Sequence, residues 1–183
     1  MTRSGSIVFL CVLGLVLSLL LTAFLTPGGL ELQVTLVKEK TPVLILPLKP
    51  GERFTLHYYH SVENAPIWEE HSMDKKGNLY IEEERYEKFG AGMGKMPGVG
   101  RMVQKGIYEA IIDMHLPVGD FILRVGSPGV DHTIIWRGMR YNLSEIIPHK
   151  AVIFSGRSVS MLHQLWQACG FGQGPDLLNL ANK

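Results

Sequence analysis

Two hydrophobic patterns divide the chain. Residues 7–26 (IVFLCVLGLVLSLLLTAFLT) are apolar or small on every side and carry no charge, whereas from residue 31 onward short branched or aromatic runs are broken by Gly, Pro, Asn and Asp. The first run, in helical form, reaches roughly 30 Å, the thickness of a hydrocarbon core, and predicts a single membrane-spanning helix. A cleaved signal peptide would have an apolar region of about 7–15 residues and a small-x-small ending. The run here is longer. Its candidate endings, Thr22-Ala23-Phe24 and Phe24-Leu25-Thr26, place large residues where small ones are needed, and Thr26-Pro27-Gly28 has a central proline. The reading is therefore an uncleaved anchor, stopped by Pro27, Gly28 and Gly29. Arg3 and the amino terminus flank one side closely, while Lys38 and Lys40 lie well beyond the other. Positive charge stays inside, so the expectation is a single-pass protein of the cytoplasmic membrane whose domain faces the periplasm or cell exterior. Gly14, Ser18 and Thr22 recur every fourth residue on one helix face, a spacing that lets a second membrane helix approach closely.

The second pattern predicts β structure. Candidate strands are 31–38, 43–48, 53–60, 67–73, 78–85, 107–115, 120–126, 132–137 and 150–155. Period-two alternation places Phe54, Leu56, Tyr58 and His60 on one face and Arg53, Thr55, His57 and Tyr59 on the other. Turn signals stand between the runs, at Lys49-Pro50-Gly51, Lys76-Gly77-Asn78, Pro117-Val118-Gly119-Asp120 and Ser127-Pro128-Gly129. Regularly spaced short strands predict an all-β, antiparallel sandwich or barrel-like domain. Over 158–169 the period changes: Val159, Leu162, Trp166 and Cys169 fall at helical spacing, with Ser158 as candidate cap and Gly170 as candidate stop. The organisation expected is an anchor over 1–29, a β domain over 30–156, and a carboxy-terminal helix and tail over 157–183.

Composition narrows the function classes. Of 183 residues, 46% are hydrophobic and 19% charged, which excludes a disordered chain. Arg3 is the only charge in residues 1–26, so the remainder carries 17 Lys+Arg against 17 Asp+Glu. A neutral domain argues against nucleic acid or anionic lipid held by bulk charge. Cys11 lies in the anchor and Cys169 near the end, so no internal disulfide is expected. Leu10 before Cys11 and the apolar run after it argue against lipoprotein processing.

The most distinctive stretch is Tyr59 to His71, where a strand ends at the polar turn Ser61-Val62-Glu63-Asn64 and another starts after Pro66. Ile67, Glu69, His71 and Met73 then face one way. Three readings stand: a buried His–Glu hydrogen bond fixing the hairpin, a polar patch facing a ligand or partner, or a metal site from His60, Glu69 and His71. A metal needs three or four ligands converging on one point, which alternation does not guarantee. The expected local unit is Tyr58, His60, Pro66 and Glu69, with Glu69 accepting a hydrogen bond near the turn.

Other motifs fail as catalytic signatures. The glycine-rich run Phe89-Gly90-Ala91-Gly92-Met93-Gly94-Lys95, continuing to Gly106, has the wrong spacing for a phosphate loop and no helical pattern behind it. It reads as a long connection in which Gly90 and Gly92 allow positive φ. Gly156-Arg157-Ser158-Val159-Ser160 lacks the final glycine of a nucleophile elbow. Glu82-Glu83-Glu84 reads as a solvated strand or edge. No cofactor motif is found, and no catalytic residue is assigned.

The string formed by Phe54, Leu56, Tyr58, His60, Ser61, Val62, Pro66, Ile67 and Glu69, followed by Phe89, Gly90, Ala91, Gly92 and Met93, resembles a family. This is the domain-of-unknown-function family DUF1850, small membrane-anchored bacterial proteins encoded beside TAXI-type TRAP solute transporters. The resemblance extends over roughly residues 30–156 and includes the single anchor. It implies a context without a reaction: a non-catalytic extracytoplasmic accessory protein whose partners are the bilayer, the transporter's membrane subunit and its substrate-binding protein. The alternative expectation is an exported small-molecule or metal-binding domain, or an enzyme, using His60, Glu63, Glu69 and His71.

Overall fold

Alternation lays the chain down as strands because each apolar side chain then meets the same core. A computed structural model describes residues 3–87 and 98–169. Helix α1 (Arg3–Leu25) is followed by β1 (Pro27–Leu36), β2 (Pro42–Leu48), β3 (Phe54–His60), β4 (Ala65–Met73) and β5 (Leu79–Tyr86). Then come β6 (Arg101–Lys105), β7 (Tyr108–Ile112), β8 (Leu116–Pro117), β9 (Phe121–Arg124), β10 (Thr133–Trp136) and β11 (Met139–Asn142). A short helix α2 (Leu143–Ile146), strand β12 (Ala151–Ser160) and helix α3 (Met161–Ala168) complete the described order. The described parts of Met1–Gly29 and Ser158–Gln173 form one compact unit, and Leu30–Arg157 forms the other.

The β unit has two sheets. The smaller has the order β2-β1-β12-β9; the larger has β11-β10-β3-β4-β5-β7-β6, with β8 pairing β5 off that path. Pairing along the larger sheet is antiparallel throughout. Leu32, Val34, Leu46 and Phe154 of the smaller sheet share one core with Phe54, Leu56, Met73 and Ile134 of the larger. Ile67, Tyr86 and Ile111 make a second, smaller cluster. Tyr58 packs against both. Burial of this extent stabilises the unit without a disulfide, and Cys11 and Cys169 are both free and exposed. The expected all-β class with one amino-terminal apolar helix and a short carboxy-terminal helix is the observed one.

Several boundaries differ, each for a local reason. The expected strand 107–115 stops at Ile112, because Asp113 and His115 take positive φ (59° and 40°). Three strands were not foreseen: β6, β8 and β11. Strand β11 follows a two-residue turn, Arg137-Gly138, with φ of 48° and 79°, the mirror-image turn that suits a tight hairpin. The carboxy-terminal helix starts later than expected. Strand β12 runs through Ser160, whose Oγ accepts the His163 amide at 3.2 Å, so the cap is Ser160 and not Ser158.

The turn before β3 is tied down by a carboxylate. Glu52 accepts from the Lys49 amide (2.8 Å), the Trp136 indole (3.2 Å) and the Arg137 guanidinium (2.6 and 2.9 Å). This bidentate pairing with Arg137 outweighs the upward push of burial and lowers the Glu52 pKa. A lowered carboxylate stabilises above its unfolded value, and that contribution is lost as pH falls through the folded one. Glu52→Ala is expected to cost about 1–2 kcal/mol in urea unfolding at neutral pH. The difference from wild type should shrink on acidification.

Candidate functional site

The inner face of the larger sheet carries a polar cluster between the two apolar ones. Register determines it. Glu69 on β4 pairs with Leu56 of β3 and with Glu84 of β5, so two carboxylates stand directly opposite each other. One row along, Tyr58, Ile67 and Tyr86 line up across the same three strands. The Tyr58 hydroxyl donates to Glu69 Oε1 at 2.8 Å, and the Tyr86 hydroxyl donates to Glu84 Oε2. His71 places Nε2 3.1 Å from Glu69 Oε2. Its ring is stacked between Phe54 (5.2 Å) and Phe121 (5.4 Å) and is 1% exposed. With Nε2 as donor to the carboxylate, Nδ1 is buried without a hydrogen-bond partner among the described residues. His132, just before β10, lies with its ring 5.3 Å from that of Tyr58 and accepts the Gly126 amide on Nδ1 at 2.9 Å.

The electrostatics follow from burial and from the facing carboxylates. Burial raises the Glu84 pKa; the Tyr86 bond opposes this, and the Glu69 charge adds to it. Burial, then the neighbouring carboxylates, push the Tyr58 hydroxyl well above its ordinary range, and Tyr86 likewise. Both phenols remain donors. Burial lowers the His132 pKa against the pull of Glu69 and Asp131. Like charges directly across a sheet repel, so the facing Glu69 carboxylate adds to burial in favouring the protonated form of Glu84. A raised Glu84 pKa makes the folded state bind the extra proton, so stability present below the unfolded value, near 4.5, falls as pH rises through the folded one. Glu84→Gln keeps an acceptor for Tyr86 and removes the titration. Thermal unfolding between pH 4 and 8 should show the variant matching wild type at the acid end and exceeding it at neutral pH.

The outer face of the same sheet is aromatic. His57 stacks on Trp68 (5.1 Å), meets Tyr59 edge-on (5.5 Å), and Trp68 in turn meets Tyr108 edge-on (5.1 Å). His57 is buried, with Nδ1 3.0 Å from the Ile67 carbonyl and Nε2 3.4 Å from Asp131 Oδ2. Toward one end of the sheet, Tyr59 is 38%, Val62 73% and Ile107 71% exposed. Val62 is on the β3–β4 turn and Ile107 on the β6–β7 turn, which register places at the same end.

The structure brings together Tyr58, Glu69 and His71 of the residues singled out in the sequence. Glu69 accepts a hydrogen bond as expected, from Tyr58, but in the middle of β4 and not near the turn. His60 does not join them: it pairs with Ala65 and uses Nδ1 to accept the Glu63 amide at 3.3 Å. Glu69 lies four residues beyond Ala65, about 13 Å along the strand, so a shared face did not mean a shared site. The buried His–Glu contact is made by His71 instead. Ser61 and Glu63 lie in the turn, and Pro66 is the second residue of β4, opposite Tyr59. Gly90 and Gly92 fall outside the described residues. Gly14, Ser18 and Thr22 are exposed on α1, and the Thr22 hydroxyl donates to the Ser18 carbonyl of its own helix at 2.8 Å. Among the described residues no three His, Cys, Asp or Glu side chains converge as a metal ion requires.

The acidic run is a correction. Glu82, Glu83 and Glu84 are not a solvated edge, because β5 is an interior strand. Glu83 is buried against Lys105 (2.8 Å), Glu82 accepts from Ser72 and meets His115 (2.9 Å), and Glu84 turns inward. A register irregularity at Glu70/His71 lets Glu82 and Glu84 serve opposite faces. Glu84 and Tyr86 went unread because only the pairing of β4 with β5 reveals them, and His132 because only the pairing of β10 with β3 brings it to Tyr58.

The architecture is that of an antiparallel two-sheet β domain entered from an apolar helix. Residues 54–143 match the family described as Domain of unknown function (DUF1850), the family that the sequence motif resembles. No curated protein and no solved structure matches the chain.

Proposed function

We propose that the protein is a membrane-anchored, extracytoplasmic, non-catalytic accessory subunit of a TAXI-type TRAP solute transporter. The observation that carries this reading is the apolar helix α1 that precedes the β domain. Ile7–Leu25 is a 19-residue apolar span, none of it buried against protein. A helix of that length and exposure suits a bilayer. The resemblance to proteins encoded beside such transporters supplies the partner. The exposed aromatic and aliphatic end of the larger sheet supplies a surface of the composition that protein interfaces favour.

Affinity purification of the full chain from native membranes in mild detergent should recover the multi-span transporter subunit. Val62→Glu and Ile107→Glu alter side chains that are mostly exposed, so melting should move by less than about 0.5 kcal/mol while recovery of the transporter falls. Isolation of the anchored chain alone, under conditions that keep the transporter intact, would contradict the proposal.

A further inference from the structure

We infer that α3 is an interfacial helix, seated in the headgroup layer of the bilayer where α1 leaves it. The inference rests on the anchor reading of α1. The start of α3 is fastened to the end of the span: the Met161 amide donates to the Thr26 carbonyl at 2.8 Å, one residue past α1. Gly28 makes that approach possible: a Cβ on it would lie 2.6 Å from Met161 Cα and Met161 N, both backbone atoms. Helices α1 and α3 pack on each other within the same compact unit.

The face left outward is apolar. At helical spacing Met161, Leu162, Leu165, Trp166 and Cys169 occupy one arc, and His163 and Gln164 lie on the opposite side. Met161 is 46%, Leu165 49% and Trp166 58% exposed. Such a face, beginning at the residue where a bilayer-length helix ends, meets lipid at the headgroup–acyl boundary. Tryptophan is enriched there because its ring is apolar and its N–H is polar. Met161–Ala168 contains no Lys, Arg, Asp or Glu, so insertion is apolar and does not need anionic lipid. The occupant is therefore the bilayer itself, and phosphatidylcholine suffices.

The test uses the full chain reconstituted in phosphatidylcholine vesicles containing lipids brominated at shallow or deep acyl positions. Wild type should show a quenched tryptophan component that Trp166→Phe removes, larger with the shallow label, matching burial of roughly 5–10 Å. Leu165→Glu should reduce that component while the chain stays in the carbonate-resistant membrane fraction. Equal quenching of wild type and Trp166→Phe, in a chain that resists carbonate, would overturn the inference and leave the anchor reading intact. So would a Trp166 shielded from both bromine and aqueous acrylamide, which would mean a protein cover. Extraction of wild type by carbonate would overturn both readings.

Discussion

Gly156→Val is expected to lower the stability of the β unit by about 3 kcal/mol or more, a fall in melting temperature of roughly 6–12 °C. Gly156 on β12 and Gly77 on the β4–β5 turn press backbone against backbone. A Cβ at Gly156 would lie 2.1 Å from the Gly77 carbonyl oxygen, and one at Gly77 would lie 2.8 Å from the Gly156 carbonyl oxygen. Neither neighbour is a flexible side chain, so the hairpin turn and the strand must separate to admit a side chain. Gly77 also has φ of +92°, so substitution there is strained twice over. Gly129, with open space where a Cβ would go, is the control: Gly129→Ala should change stability by less than about 0.5 kcal/mol. Thermal melts of the intact chain, followed by near-ultraviolet dichroism, read the contrast. Similar melts for Gly156→Val and Gly129→Ala would show that the close approach does not matter.

The second large effect belongs to Glu69. Glu69→Ala removes the acceptor of the Tyr58 hydroxyl and the partner of His71 Nε2. Each orphaned group costs about 1–3 kcal/mol, so the loss should be about 2–5 kcal/mol, the lower part of the range reflecting relief of the repulsion with Glu84. Glu69→Gln keeps an acceptor and should lose clearly less. The Glu84 titration should move back toward the ordinary glutamate range once the facing charge is gone. Urea unfolding across the same pH series measures both. An alanine variant as stable as wild type would mean that the cluster is solvated and carries no structural load.

How much of this was legible in the sequence follows from the range of each signal. Alternation along one strand is local, so Phe54, Leu56 and Tyr58 sorted correctly from Thr55 and Tyr59, and the β class was readable. Pairing between strands is not local. The facing of Glu69 and Glu84 depends on the register of β4 against β5, including its irregularity, which no periodicity announces. His60 was misplaced for the same reason, since face was readable and position along the strand was not. The Gly156 motif invited a catalytic comparison by spacing alone; its glycine is there for a backbone contact with Gly77, 79 residues away in the chain. Strand β11 was missed because its only local cue, Arg137-Gly138, is a weak turn signal without an asparagine or aspartate at its first position.

The most direct test of the accessory reading is photo-cross-linking from Ile107 in native membranes. Ile107 is exposed on the β6–β7 turn, and Ile122, 63% exposed on β9 of the other sheet, serves as the control position. A photoreactive residue at Ile107 should give an adduct containing the membrane subunit of a TRAP-type transporter, and one at Ile122 should give far less. Equal adducts from both positions, or none with the transporter from Ile107 while the two proteins share the membrane, would contradict the account.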